Sequence, residues 1–283
     1  MEPLFCNNAE WNKELTKLSK EIFKFPKTES YDILYEKLVE MFNDHSKPPF
    51  LGFEFSYHAI PRYQYLENDI RKPEYVGIDV PSYFNHSNNG ERKKVIMIVG
   101  IDPKRSGGDL QHKISIGTPF GFNSGKTKPY WDLVQRLIDK NFTIYLTDTY
   151  KVYFKNGNRQ SYTIREFTNP KPDIHQEIFA EEIKIVNPDL IVTLGHIPRI
   201  WFSSLEKGNF SFKKLLEISS NKNDPNHSNL YYGSEGKKIP ILPLMHLSGL
   251  AATKKRMLED YQVENKTQLI EKYVEFINCR MNL

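Results

Sequence analysis

Cysteine is almost missing from this sequence: only Cys6 and Cys279, near opposite ends of a 283-residue chain. Two thiols cannot build an all-thiolate zinc site or an all-cysteine iron–sulfur cluster. A disulfide between them is disfavoured in a reducing cytosol. No His-x-x-x-His pair stands in for the thiols, and the one His-x-Glu, His175-Gln176-Glu177, lacks the Pro-Cys-x-x-Cys partner a zinc deaminase needs. The sequence therefore predicts no metal site and no cofactor. Long apolar runs are missing too, since none approaches the roughly 18–20 residues that cross a bilayer. Met1 to Glu10 show no basic-then-apolar leader pattern. The expectation is a cytoplasmic, monomeric protein without membrane contact. What is present, 39% hydrophobic and 26% charged residues, is the ordinary make-up of a folded globular chain. Its length suits one large domain, or one domain with an extension.

The net charge of +4 is unevenly spread. Residues 1–90 hold 10 Lys/Arg against 14 Asp/Glu, whereas the remainder holds 29 against 21. The basic part would tolerate a polyanion, although a solvated surface with chance asymmetry would look the same.

Four short runs rich in Val, Ile and Leu read as strands buried on both faces of a parallel sheet: Lys94–Val99, Thr143–Thr147, Leu190–Leu194 and Ile239–Leu244. Pro240 and Pro243 weaken the last or move it toward an edge. Helical patterns fall between the runs: Tyr130–Lys140, Ile174–Val186 (closed by Asn187-Pro188), Ile197–Leu205 and a long region over Thr253–Asn282. This alternation predicts an α/β fold, a three-layer α/β/α sandwich around a central four-stranded, mainly parallel sheet, over residues 91–283. Residues 1–90 read as a mostly helical N-terminal extension packed on it. Helices are expected at Trp11–Phe23 and Tyr31–Phe42, and Asn85–Glu91 is the connection into the first strand. Asn221–Lys238, polar with Gly and Pro, reads as an exposed loop.

Chemistry-bearing residues cluster after these strands. Gly100-Ile101-Asp102-Pro103-Lys104-Arg105 follows the first. An aspartate fixed there can orient a water and stabilise developing positive charge, although a turn aspartate or helix N-cap has the same appearance. No Gly-x-x-x-x-Gly-Lys-[Ser/Thr] phosphate loop is present. In Gly117-Thr118-Pro119-Phe120, an aromatic held on a Gly/Pro loop is suited to stacking on a planar ligand, or to packing inward. Asp148 ends the second strand, where a carboxylate must be solvated, paired (Lys151 is a candidate) or awaiting a donor. His246-Leu247-Ser248-Gly249-Leu250 follows the last strand. His246 is suited to donating to a developing anion or to a structural bond, and Ser248 to phosphate. Lys254, Lys255 and Arg256 are suited to a nucleic-acid backbone.

Taken in order, these segments over about residues 94–256 resemble the uracil-DNA glycosylase superfamily. The resemblance implies base excision from DNA, double-stranded with a flipped base or single-stranded. Asp102 corresponds to the water-activating residue, Phe120 to the stacking aromatic, Asp148 to the base reader and His246 to the donor to the leaving base. Leu250 corresponds to the residue that fills the vacated stack. Ile101 and Lys104 would border the base, and Ser248, Arg105, Lys254 and Lys255 the DNA backbone. No lysine is placed as a Schiff-base nucleophile, so the expectation is a monofunctional hydrolase.

Two departures bear on the substrate. The uracil enzymes read the base with Asn, whereas this chain has Asp148, which when ionised accepts only and suits the exocyclic amine of cytosine. Were Asp148 protonated, it could donate, and uracil would return as a candidate. Where those enzymes close off the pyrimidine 5-position with Tyr, this chain has Lys104. Free excision of ordinary cytosine would destroy the cell's own genome, so a 5-modified cytosine is the expected substrate. Hydroxymethylcytosine and its glucosylated form, as found in phage DNA, are of this kind. The pattern is similar to that of prokaryotic antiviral glycosylases. Uracil or another deaminated base in repair is the alternative, and a catalytically weak DNA-binding member of the fold is the second.

Overall fold

The computed structural model describes residues 10–24, 31–44, 50–68, 72–84, 93–101, 111–117, 128–155, 174–195, 211–234, 236–247, 258 and 261–282. Six α-helices are described: α1 Glu10–Ile22, α2 Tyr31–Asn43, α3 Lys128–Asp139, α4 Ile174–Val186, α5 Phe212–Ser220 and α6 Lys266–Met281. The strands are β1 Phe50–Glu54, β2 Tyr75–Asp79, β3 Ser82–Phe84, β4 Val95–Gly100, β5 Lys113–Gly117, β6 Thr143–Asp148, β7 Val152–Lys155, β8 Leu190–Leu194, β9 Tyr231–Ser234 and β10 Lys237–Leu244. None of these helices is long and apolar enough to cross a membrane.

The larger sheet has six strands in the order β3-β6-β4-β8-β10-β9. Its centre is the expected parallel set, with β4 between β6 and β8, and β10 beyond β8. Val95-Ile96-Met97-Ile98-Val99 is fully buried because both faces of this set are covered. Odd-numbered residues of β4 (Val95, Met97, Val99) pack with Phe179 and Ile183 of α4 and Leu15 of α1. Even-numbered residues (Ile96, Ile98) pack with Trp131, Leu133 and Leu137 of α3 and Leu269, Tyr273 and Ile277 of α6. These are the three layers of an α/β/α sandwich.

Antiparallel β3 and β9 extend this sheet at its two edges, so it has six strands and not four. The 221–238 stretch is therefore not simply an exposed loop. It carries β9, and Leu230 and His227 are buried. Nor do the prolines push β10 to an edge. Ile241 donates its N–H to the Leu230 carbonyl at 2.9 Å, on the β9 side. Residue 243 has the same parity, so Pro243 lacks its N–H on the side where β9 has already ended; Pro240, of opposite parity, lacks its N–H on the β8 side but precedes the first β8 pair, Ile241 opposite Ile191.

A second, four-stranded sheet, β1-β5-β2-β7, has no counterpart among the sequence expectations. Val76, Ile78, Ile114, Ile116 and Phe154 line its core against Leu18 and Ile22 of α1 and Leu34 and Leu38 of α2. The described residues before 91 supply α1 and α2, and also strands to both sheets. Two connections cross between the sheets side by side: β2 to β3 through Val80-Pro81, and β6 to β7 through Thr149-Tyr150-Lys151. The helices expected at Trp11–Phe23, Tyr31–Phe42, Tyr130–Lys140 and Ile174–Val186 correspond to α1 to α4. The Asn85–Glu91 connection and the Ile197–Leu205 helix lie outside the described residues.

Candidate active site

In chain order the parallel strands run β4, β6, β8, β10, but in space β4 lies between β6 and β8. The chain therefore goes on from β4 and from its neighbour β8 toward opposite sides of the sheet, opening a crevice at the carboxyl ends of the strands where such sheets bind ligands. Residues of even number at those ends share one face with Ile98, Leu146, Leu194 and Leu244, all of which pack toward α3 and α6. Asp148 and His246 have that parity. Neighbouring strands lie about 4.8 Å apart, so these two stand roughly three spacings, or about 14 Å, from each other along the sheet.

Asp148 closes β6 in register with Gly100 and is 5% exposed. Its backbone N–H donates to the Asp79 carboxylate at 3.0 Å. The pairing of β6 with β4 continues past the strand ends. Thr149 donates to the Gly100 carbonyl through its N–H at 3.1 Å and its hydroxyl at 2.8 Å, and the Tyr150 N–H donates to the Ile101 carbonyl at 3.0 Å. These bonds fix Ile101, the residue before Asp102.

Lys151, the sequence candidate for pairing with Asp148, forms a buried ion pair with Glu182 of α4 at 2.5 Å. The Lys151 ammonium also donates to the Thr147 hydroxyl, and the hydroxyls of Tyr145 and Thr147 donate to Glu182. The network stabilises the end of β6 from the face opposite Asp148.

His246 sits two residues beyond β10, between two anchors. Tyr273 of α6 donates its hydroxyl to the Met245 carbonyl at 3.2 Å, and Leu247 is fully buried among the α3 and α6 side chains. Burial pushes the Tyr273 phenol well above its usual range and keeps it a donor. The Tyr130 hydroxyl of α3 lies 2.7 Å from Nδ1 and 2.9 Å from Nε2 of His246, and the two rings meet edge to face at 5.2 Å. One O–H donates to one ring nitrogen at a time. Burial lowers the His246 pKa below the ordinary imidazole value, which favours the neutral ring.

Gly195, just after β8, completes the crevice wall. Its φ of +102° suits only glycine, and a Cβ there would lie 3.4 Å from Ile101 Cδ1 and 3.7 Å from His246 Cβ. Ile101, Gly195 and His246 are therefore packed together across β4, β8 and the end of β10.

Of the residues singled out from sequence, Ile101, Asp148 and His246 are described, all at these strand ends. Asp102, Lys104, Arg105, Phe120, Ser248, Leu250, Lys254, Lys255 and Arg256 lie outside the described residues. Sequence reasoning missed Asp79, Tyr130 and Gly195. Only Gly195 had a local signal, a glycine directly after a buried apolar strand.

A search among curated proteins finds no match to the chain. Strands β4 to β10 and the side chains at their ends all fall within residues 87–275, which match the family model described as the uracil DNA glycosylase superfamily, and the chain belongs to that superfamily.

Proposed function

We propose that this protein is a monofunctional DNA glycosylase that flips a pyrimidine nucleotide from DNA and hydrolyses its N-glycosidic bond, with a 5-modified cytosine as substrate. Superfamily membership carries the general part, DNA binding and glycosidic hydrolysis. The choice of base rests on this chain's own residues, above all the buried Asp148 carboxylate at the end of β6, on the same face as His246. A pyrimidine held between them would turn its O2 edge to His246 and its 4-position to Asp148. An ionised carboxylate accepts from the exocyclic amine of cytosine and opposes O4 of uracil.

In the reaction, the bond between C1′ and the base nitrogen breaks and its electron pair leaves with the base. Negative charge accumulates on the base and positive charge on the sugar. The tautomer is assigned by this role: with Tyr130 donating to Nδ1, the neutral His246 ring keeps its proton on Nε2 and offers it to O2. Asp102 stabilises the oxocarbenium-like sugar, orients water toward C1′ and takes up the water's proton. An abasic site and a free base result. Phe120 stacks on the flipped base, Leu250 fills the gap in the stack, and Ile101 borders the base. Arg105, Ser248, Lys254 and Lys255 contact the backbone.

In sequence, Lys104 takes the position at which the uracil enzymes carry the Tyr that excludes 5-substituents, so that exclusion is not expected of this chain. Ordinary cytosine cannot be the target of an enzyme that spares its own genome, so the substrate is foreign DNA and the role antiviral. The test is base release from oligonucleotides carrying uracil, cytosine, 5-hydroxymethylcytosine or glucosylated 5-hydroxymethylcytosine. Preferential release of a 5-modified cytosine is expected. Release of uracil alone would replace the substrate with a deaminated base, and no release from any would overturn the enzymatic reading.

A further inference from the structure

We infer that Asp79, on the smaller sheet, is a positioning residue for base selection, acting by holding the main chain of Asp148; this rests on the reading of Asp148 as the base-reading side chain. Asp79 is the last residue of β2 and is 3% exposed. Its N–H donates to the Lys151 carbonyl at 3.2 Å, and the next N–H, of Val80, donates to the Gly117 carbonyl at 2.9 Å. The residue is therefore clamped into the smaller sheet. Its carboxylate Oδ2 reaches out of that sheet to accept the Asp148 N–H at 3.0 Å.

The need for this bond follows from the register. β3 pairs with β6 as far as Ser82 opposite Leu146. Continued, that register would set Val80 against Asp148, but there the chain has turned away through Pro81 toward β2. The N–H of Asp148 points past the end of the ladder, and the Asp79 side chain supplies the acceptor that β3 no longer offers. The bond fixes the peptide between Thr147 and Asp148, and with it the direction of the Asp148 Cα–Cβ bond. A carboxylate that distinguishes an amine from a carbonyl needs that direction held to a fraction of an ångström.

The inference is tested by single-turnover release of 5-hydroxymethylcytosine and of uracil by the full chain and its variants, with thermal melting measured alongside. Asp79→Ala is expected to reduce the ratio of the two rates by about tenfold, the scale on which a mispositioned polar reader loses discrimination. Asp79→Asn, whose side-chain oxygen can accept the same N–H, keeps the ratio within about threefold of wild type. In the Asp148→Asn background, Asp79→Ala should add no further change in the ratio, because the two act as a unit. A merely structural Asp79 would lower both rates together with the melting temperature and leave the ratio unchanged, which would overturn the inference. Should Asp79→Ala not fold, Asp79→Glu displaces the carboxylate by one methylene. A reduced ratio is again expected, and an unchanged one overturns the inference. If Asp148→Asn shifts the base profile while the Asp79 variants do not, only the present inference falls. If Asp148→Asn leaves the profile unchanged, or wild type releases neither base, the underlying reading falls with it.

Discussion

Removing a single oxygen, in Tyr130→Phe, isolates what holds the imidazole. The ring of Tyr130 is buried at the start of α3 and packs edge to face on His246 at 5.2 Å, so a phenyl retains the packing and loses only the hydroxyl at 2.7 Å from Nδ1. A neutral hydrogen bond contributes a net of about 0.5–1.5 kcal/mol. If that stabilisation acts on the ring orientation used in the transition state, it converts to roughly a twofold to thirteenfold loss in rate. DNA affinity should not change, because Tyr130 lies beneath the imidazole. The imidazole titration provides an independent check. Burial already lowers the His246 pKa, and an O–H that donates to a ring nitrogen favours the neutral ring further, since a protonated ring has no lone pair to accept it. The imidazole of the phenylalanine variant should therefore stay protonated to higher pH than that of the wild type. Single-turnover base release measures the rate, and NMR titration of the His246 ring measures the pKa. A wild-type rate with an unmoved imidazole titration would refute the role given to this hydroxyl.

Other substitutions address separate parts of the account. Asp102→Ala should abolish excision and leave DNA binding nearly intact in a gel-shift titration, and retained turnover would remove Asp102 from the mechanism. Lys151→Met strands the buried Glu182 charge and should cost about 3–5 kcal/mol in urea unfolding, with only part of it recovered when Glu182→Leu is added, because the Tyr145 and Thr147 hydroxyls then lose their acceptor. A loss below about 1 kcal/mol would mean the pair behaves as if solvated. Acid should destabilise the fold through His246 and His227. Burial depresses the first, and burial followed by the Arg280 charge depresses the second, both from 6.5. As pH falls below that value the unfolded chain takes up protons first, so their contribution is complete above it and is lost as pH drops through the folded-state values. A melting temperature that rises on acidification in this range would contradict the assignment.

The parallel strands were legible because burial on both faces leaves a continuous Val/Ile/Leu run, which local composition reveals. Pro240 and Pro243 misled, because the cost of a proline depends on which side of the strand its missing N–H faces. Only the neighbours β8 and β9 determine that. The smaller sheet was not legible. β1, β2, β5 and β7 are four or five residues long, and β1, β2 and β5 carry a glycine. Such segments become strands through partners distant in sequence more than through their own propensity. The site divides in the same way. Asp148 and His246 follow apolar runs and could be read as strand-end residues. Asp79 and Tyr130 act across separations of 69 and 116 residues, and nothing next to them in sequence marks the contact.

The central claim is that the carboxylate of Asp148 reads a cytosine-type amine at the end of β6. Its most direct test is single-turnover excision of 5-hydroxymethylcytosine and of uracil by the wild type and by Asp148→Asn, side by side. The amide can accept from N3–H of uracil and donate to its O4, so the variant should gain uracil release and lose release of the modified cytosine. An unchanged preference in the variant would contradict the claim.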